Sequence, residues 1–174
     1  RDLPWSEAGI EGCSRFVHRL WRLFGQFDAD AQGRDKALDR KTHQTIAAVA
    51  EDIEALSFNK AVARLYELTG ATEKATPSES RNEAIRSILL MSSPMMPHLA
   101  EEAWSKLDGD GLAAMAAWPD VDPALLVDDE VTIAIQHKGK LRDTLTVAKG
   151  LPKDQMEELA LADFAAEAGI VMDT

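Results

Sequence analysis

The chain has 174 residues, 45% of them apolar and 28% charged, with a net charge of −11 and a single cysteine, Cys13. That length and balance fit one soluble domain, or one domain with a small appendage. A lone cysteine rules out an internal disulfide and any multi-cysteine metal site, and no stretch approaches the roughly 20 apolar residues that a membrane-spanning helix needs. The expected setting is therefore reducing and cytoplasmic, with no membrane partner. The start, Arg1-Asp2-Leu3-Pro4-Trp5, carries neither an initiator Met nor an apolar signal core, which suggests an excised piece.

The pattern predicts five helices and then a change of period. Ser6 before Glu7 reads as a helix cap, with Trp5 as a hydrophobic anchor ahead of it. The first helix should run to about Phe24 and bury Cys13, Phe16, Val17, Leu20, Leu23 and Phe24. A polar loop from Gly25 to Gly33 leads to a second helix over roughly Asp35 to Leu56, with Leu38, Thr42, Thr45, Ile46, Val49, Ile53 and Leu56 inward. After a break at Ser57, a third helix spans about Asn59 to Thr69, burying Val62, Leu65, Tyr66 and Leu68 or Thr69, and Gly70 is its expected terminator. Thr76-Pro77-Ser78 opens a fourth, Glu79 to Ser92.

Pro94 and Pro97 then form a corner. The first ends one helix because proline lacks an amide hydrogen and collides with the preceding turn. The second suits the opening turn of the next helix, Pro97 to about Leu107. Glu101 and Glu102 stand near the positive end of that helix dipole, and Trp104 should seal the corner. Asp108-Gly109-Asp110-Gly111 ends the fifth helix.

Beyond Trp118-Pro119, Val131 to His137 alternates with period two, Lys138-Gly139-Lys140 is a turn, and Leu141 to Val147 alternates again. This is a β-hairpin. A helix from Leu151 to about Ala168, with Met156, Leu159, Leu161 and Phe164, is its expected packing partner, since an isolated hairpin is marginal in water. The expected class is mainly α: an antiparallel helical bundle over residues 1–119, then an acidic linker and a small α/β module over 120–174.

A net charge of −11 argues against a general nucleic-acid binder, whose footprint is basic. The distribution qualifies the sum. Arg15, His18, Arg19 and Arg22 cluster on the first helix with no acid among them, and His137, Lys138, Lys140 and Arg142 form a second acid-free group. A looser third group, Arg34, Lys36, Arg40, Lys41 and His43, is diluted by Asp35 and Asp39. His98 with Glu101 or Glu102 has the spacing of a metal pair but no second histidine nearby. No glycine-rich phosphate loop and no nucleophile with a His-plus-acid set occurs. The residues give no catalytic centre and no metal site.

Several stretches, taken in order, resemble one family. The segment Trp5-Ser6-Glu7-Ala8-Gly9-Ile10-Glu11-Gly12, with Arg15-Phe16 and Arg19-Leu20-Trp21, is similar to the part of leucyl-tRNA synthetases that follows the catalytic core. Phe58-Asn59-Lys60-Ala61 resembles a Phe-Asn-x-Ala helix opening in the same enzymes. The Pro94, Pro97-His98, Glu101-Glu102, Trp104 corner and Trp118-Pro119 are shared with the isoleucyl, valyl and methionyl enzymes of class I. Val131 to Gln136 with Gly139-Lys140-Leu141-Arg142 resembles the start of the small C-terminal domain of the bacterial leucyl type; Lys138 stands where that family commonly has Asn.

The resemblance implies an anticodon-binding helical domain plus the start of the C-terminal domain, with leucine tRNA as partner. It implies that ATP and Mg belong to a catalytic domain of the parent chain, since the HIGH-like and KMSKS-like motifs do not occur here. No cofactor is expected in this stretch. RNA contact should be phosphate neutralisation, and the residues expected to supply it are Arg15, Arg19 and Arg22 on the first helix and Lys138, Lys140 and Arg142 on the hairpin. Two other readings stay open on the sequence: an acidic helical protein-interaction adaptor without RNA binding, and the matching region of an isoleucyl or valyl synthetase.

Overall fold

The structure, a computed structural model, describes residues 7–127, the strands 130–137 and 140–148, and helical positions at Gln155 and Leu159. It is mainly helical. Helices α1 (Glu7–Phe24), α2 (Lys36–Glu54), α3 (Phe58–Lys74), α4 (Glu79–Ser92) and α5 (Pro97–Lys106) precede two short 3-10 turns, Ala113–Met115 and Pro123–Leu125. The chain divides into two compact units, Arg1–Leu126 and Val127–Thr174. The turn at Pro123–Leu125 packs on α2.

In the first unit α2, α3 and α4 pack on one another, and α1 packs on α3, α4 and α5. The core is Leu20, Leu23, Ile46, Val49, Leu65, Leu68, Ile85, Ile88, Leu89 and Met91, all but closed to solvent. These are the positions at helical spacing, so burial follows directly from the 3.6-residue period. Side-chain caps set two of the helix starts. Asp35 accepts from the amides of Ala37 and Leu38 at α2, and Ser78 accepts from Arg81 at α4. The starts of α2 and α4 are tied together, since the Asp35 amide donates to Ser80 Oγ at 2.7 Å and the Glu79 amide to the Gly33 carbonyl at 3.0 Å.

Several sequence expectations fail for reasons the packing makes plain. Cys13 and Val17 are exposed, along with Ile10, because α1 buries a narrower stripe centred on Phe16, Leu20, Leu23 and Phe24. Leu56 is 78% exposed and lies beyond the end of α2. It occupies the left-handed region at φ 54 while the Leu56 and Ser57 amides close back on Ile53 and Asp52. That is a Schellman ending with leucine where glycine is usual, and it turns the side chain to solvent. Gly70 does not end α3, which continues to Lys74. Tyr66 is half-exposed but stacks on Phe16, with ring centroids 3.6 Å apart.

In the second unit β1 (Glu130–His137) and β2 (Lys140–Ala148) pair antiparallel, from Glu130 opposite Ala148 to His137 opposite Lys140. The register shifts where Ile135 faces Asp143 but Gln136 faces Leu141, which leaves Arg142 as the extra residue of a β-bulge. The second strand therefore does not alternate without interruption. The Trp5 anchor, the Ser6 cap, the turn at 138–139 and most of the helix expected over 151–168 lie outside the described residues. Leu159, expected to face inward, is 46% exposed.

Candidate nucleic-acid interface

The double-proline corner is built as a fastener. Pro97 takes the first position of α5, where a missing amide hydrogen costs nothing. One turn on, the Glu101 carboxylate accepts from the Ala113 and Ala114 amides, each at 2.9 Å, and so caps the 3-10 turn that follows α5. Trp104 is 8% exposed and its indole N–H donates to the Asp110 carbonyl at 3.2 Å. Gly109 lies flat on that indole, where the Cβ of any other residue would fall 2.1 Å from the ring, so only glycine fits. Arg86 of α4 stands 5.8 Å from the Trp104 ring centre and 5.1 Å from that of Phe27. The Glu101 carboxylate and the Trp104 N–H are thus both spent on holding the corner. Neither is left for chemistry.

The basic residues of the first unit separate into held and open ones. Arg34 bridges Asp39 at 2.9 Å and Glu83 at 2.7 Å. Burial works against its charge, but the bond and attraction of Glu83 and the pull of Asp39 outweigh that and raise its pKa above the ordinary guanidinium value. Arg64 pairs with the nearly buried Asp52 at 2.6 Å, and Lys41 with Glu67 at 3.1 Å. Arg81, itself buried, donates to the Thr72 carbonyl and to the Gln26 side-chain oxygen. The loose third cluster seen in the sequence is thus largely consumed by internal pairing.

On α1 the three arginines do not share one fate. Arg19 reaches across to α3 and grips Glu73 with both forks of its guanidinium, at 2.6 to 3.0 Å. The hydrogen bond to Glu73 raises its pKa further despite partial burial. Its Nη2 passes over Gly70, one turn before Glu73, where an added Cβ would stand 3.4 Å away. Arg19, expected as a phosphate contact, is here held by Glu73 and ties α1 to α3. The glycine expected to terminate α3 is in fact this crossing point.

Arg15 and Arg22 remain open. Arg15 is exposed and makes a 3.6 Å pair with Glu11, one turn earlier on the same helix, where both side chains are 73% exposed. Such a pair is worth little in water. Arg22 is exposed in the last turn of α1 and makes no ion pair among the described residues. His18, between them, is exposed and bonded to the Ser14 carbonyl at 2.8 Å. Steps of three and four put Arg15, His18 and Arg22 on one face, opposite the stripe that enters the core. Beside it Trp21 is 37% exposed, with Lys106 Nζ 4.5 Å from its ring centre.

For the second cluster, Lys140 and Arg142 lie in β2, Arg142 at the bulge, while Lys138 lies outside the described residues. Sequence reasoning missed Glu73, Glu67 and Glu83 as partners. Each is far along the chain from its cation, and only the pairing of helices brings them together.

Comparison with known proteins places this arrangement. The chain is 75% identical, over 93% of its length, to a leucine–tRNA ligase of Novosphingobium aromaticivorans. It is 61% identical over 92% to that of Rhizorhabdus wittichii. It spans 19% of the length of each of these relatives. Among solved structures it is similar in fold to the agnB2 LeuRS of Agrobacterium radiobacter K84, solved as a ternary complex with tRNA and LeuAMS. There the TM-score is 0.71 at 24% identity, covering 92% of this chain and 22% of that one. The family described as the anticodon-binding domain of tRNA ligase matches residues 35–158. That match takes in four of the five helices, the corner and both strands, so the chain belongs to the anticodon-binding domains of tRNA ligases.

Proposed function

We propose that this chain is the tRNA-binding part of a leucine–tRNA ligase, the cytoplasmic enzyme that joins leucine to its tRNA using ATP. The observation that carries the reading is the 75% identity to a leucine–tRNA ligase across 93% of the chain. It favours leucine over the isoleucyl and valyl readings and tRNA over an adaptor role. ATP and Mg would be held by the catalytic domain of the parent chain, which also covers part of this surface. Here the exposed apolar side of α1, with Ile10 and Val17, suits a neighbouring domain.

RNA is held through phosphates by Arg15 and Arg22 on α1 and by Lys138, Lys140 and Arg142 on the hairpin, which together with the following helix makes a small α/β module. Arg19 serves from behind, by fixing α1 on the bundle. Support comes from the two open guanidinium groups, which lie on an exposed face of α1 that has Glu7 and Glu11 at its N-terminal end. Phosphate neutralisation releases counterions, so affinity should fall steeply with salt.

The test is a titration of leucine tRNA against the chain, and against the longer ligase, over a range of salt. Changing Arg15, Arg22, Lys138, Lys140 and Arg142 one at a time to Ala should weaken binding and flatten the salt slope by about one for each phosphate no longer neutralised. Arg19→Ala should leave the slope unchanged. A salt slope indifferent to all five single substitutions would end this assignment.

A further inference from the structure

The segment that leaves the bundle lies against α2 and is hydrogen-bonded to it through His43. After the 3-10 turn at Ala113–Met115 the chain has no regular structure until Pro123–Leu125. Trp118 borders a cleft with Ala50, Ile53 and Glu54 in the last turns of α2. Asp122 meets His43, further back on the same helix. The rise of α2 from His43 to the Ala50–Glu54 region is ~10–16 Å, and an extended Trp118–Asp122 covers ~13 Å. The segment is therefore laid out straight along α2, between an aromatic at one end and a histidine at the other.

His43 is 7% exposed and both of its ring nitrogens are engaged. The Asp122 amide can only donate, so Nδ1, 3.1 Å away, must be the acceptor. The ring proton then sits on Nε2 and is donated to Glu83 Oε1 at 3.1 Å. Glu83 is in turn fixed by Arg34, which also holds Asp39, so the ring is oriented from α4 and from the loop before α2. On the other side, the Asp122 carboxylate caps the Ala124 amide at 2.9 Å and starts the last turn of the first unit. A buried polar ring with both nitrogens satisfied by two separate elements is costly to build and highly directional.

We infer that His43 is a positioning residue: it sets where the chain departs the bundle, and through that it sets the reach of the second unit's cations to RNA. The first half of this inference stands on the geometry of the His43–Asp122 bond, and the second rests on the RNA-binding reading given above. Arg34 and Lys41 of the same sequence cluster are held by carboxylates of the bundle, whereas His43 also takes the amide of the segment that leaves it.

The test uses the whole chain and two variants. His43→Leu keeps an apolar side chain of similar bulk and removes both polar contacts. His43→Gln keeps one carbonyl to accept and one amide to donate. In His43→Leu, hydrogen exchange at the Asp122 amide should accelerate about tenfold, the worth of one well-made bond, while the α4 core keeps its protection. His43→Gln should restore most of that protection. Leucine tRNA affinity is then measured for the combined Lys138→Ala, Lys140→Ala, Arg142→Ala change in both backgrounds.

A positioning role makes that combined change cost fewer fold in His43→Leu than in the parent sequence, which a merely destabilising substitution does not do. Equal cost in the two backgrounds, or unchanged exchange at Asp122, overturns the inference. If the combined change has no effect in the parent sequence, it is the RNA reading of the hairpin that fails. The link to RNA falls with it, and exchange at Asp122 alone then decides whether His43 fixes the exit.

Discussion

The cations of α2 and its neighbours differ from those of α1 in what surrounds them, not in kind. Arg34, Lys41 and Arg64 lie where helices face one another, and each has a carboxylate within 3.1 Å. Arg15 and Arg22 sit on the outer face of α1, where no other helix brings a carboxylate among the described residues. Arg19 stands at the border and shows the rule: one helical step toward α3 is enough to convert an open charge into a tie. An anionic chain can thus keep open cations on one helix while Glu73, Glu67, Glu83, Asp39 and Asp52 hold others at the seams. The total charge does not describe the surface that a partner meets.

Substitutions graded along this border would sharpen or break the contrast. The largest effect is expected for Arg34→Ala, which strands the nearly buried Asp39 and leaves Glu83 with His43 as its one remaining partner among the described residues. A loss of about 1–3 kcal/mol in chemical unfolding is expected, the cost of leaving a poorly solvated carboxylate unpaired. An unchanged denaturation midpoint would show that the α2–α4 pairs are no more than surface contacts.

Arg19→Ala comes next, at about 0.5–1 kcal/mol, since both partners are about one-third exposed and solvent screens the pair. The pair raises the Arg19 pKa, so its contribution is fully present below the ordinary guanidinium value and is lost only as pH climbs through the higher folded one. A double-mutant cycle with Glu73→Ala should show coupling of the same size; additive losses would mean that the two residues act separately. The smallest effects on folding belong to Arg15→Ala and Arg22→Ala, each within about 0.5 kcal/mol of the parent. A larger loss at either would place it among the held cations and remove it from the RNA face.

The helices could be read from the sequence because each one buries a stripe at the helical period, and because caps such as Asp35 and Ser78 are local chemistry. The span of α4, Glu79 to Ser92, and the start of α5 at Pro97 follow from residues next to one another. The expected end of α3 at Gly70 failed since a glycine's local tendency to stop a helix competes with packing, and α3 runs on to bury Thr72 and to set Glu73 against Arg19. Leu56 failed for the opposite reason: a regular period was extended past a backbone turn that reverses the side chain. In the same way Arg15, Arg19 and Arg22 look equivalent at spacings of four and three, and sequence alone gives no ground to part them.

Local order therefore determined the elements, the corner and the family likeness, all of which depend on residues within a turn or two of each other. Tertiary structure alone decided which charges remain available, whether α3 runs past Gly70 and where the chain leaves the bundle. Those outcomes depend on groups such as Glu73, Glu83 and Asp122, whose distance along the chain says nothing of their distance in space.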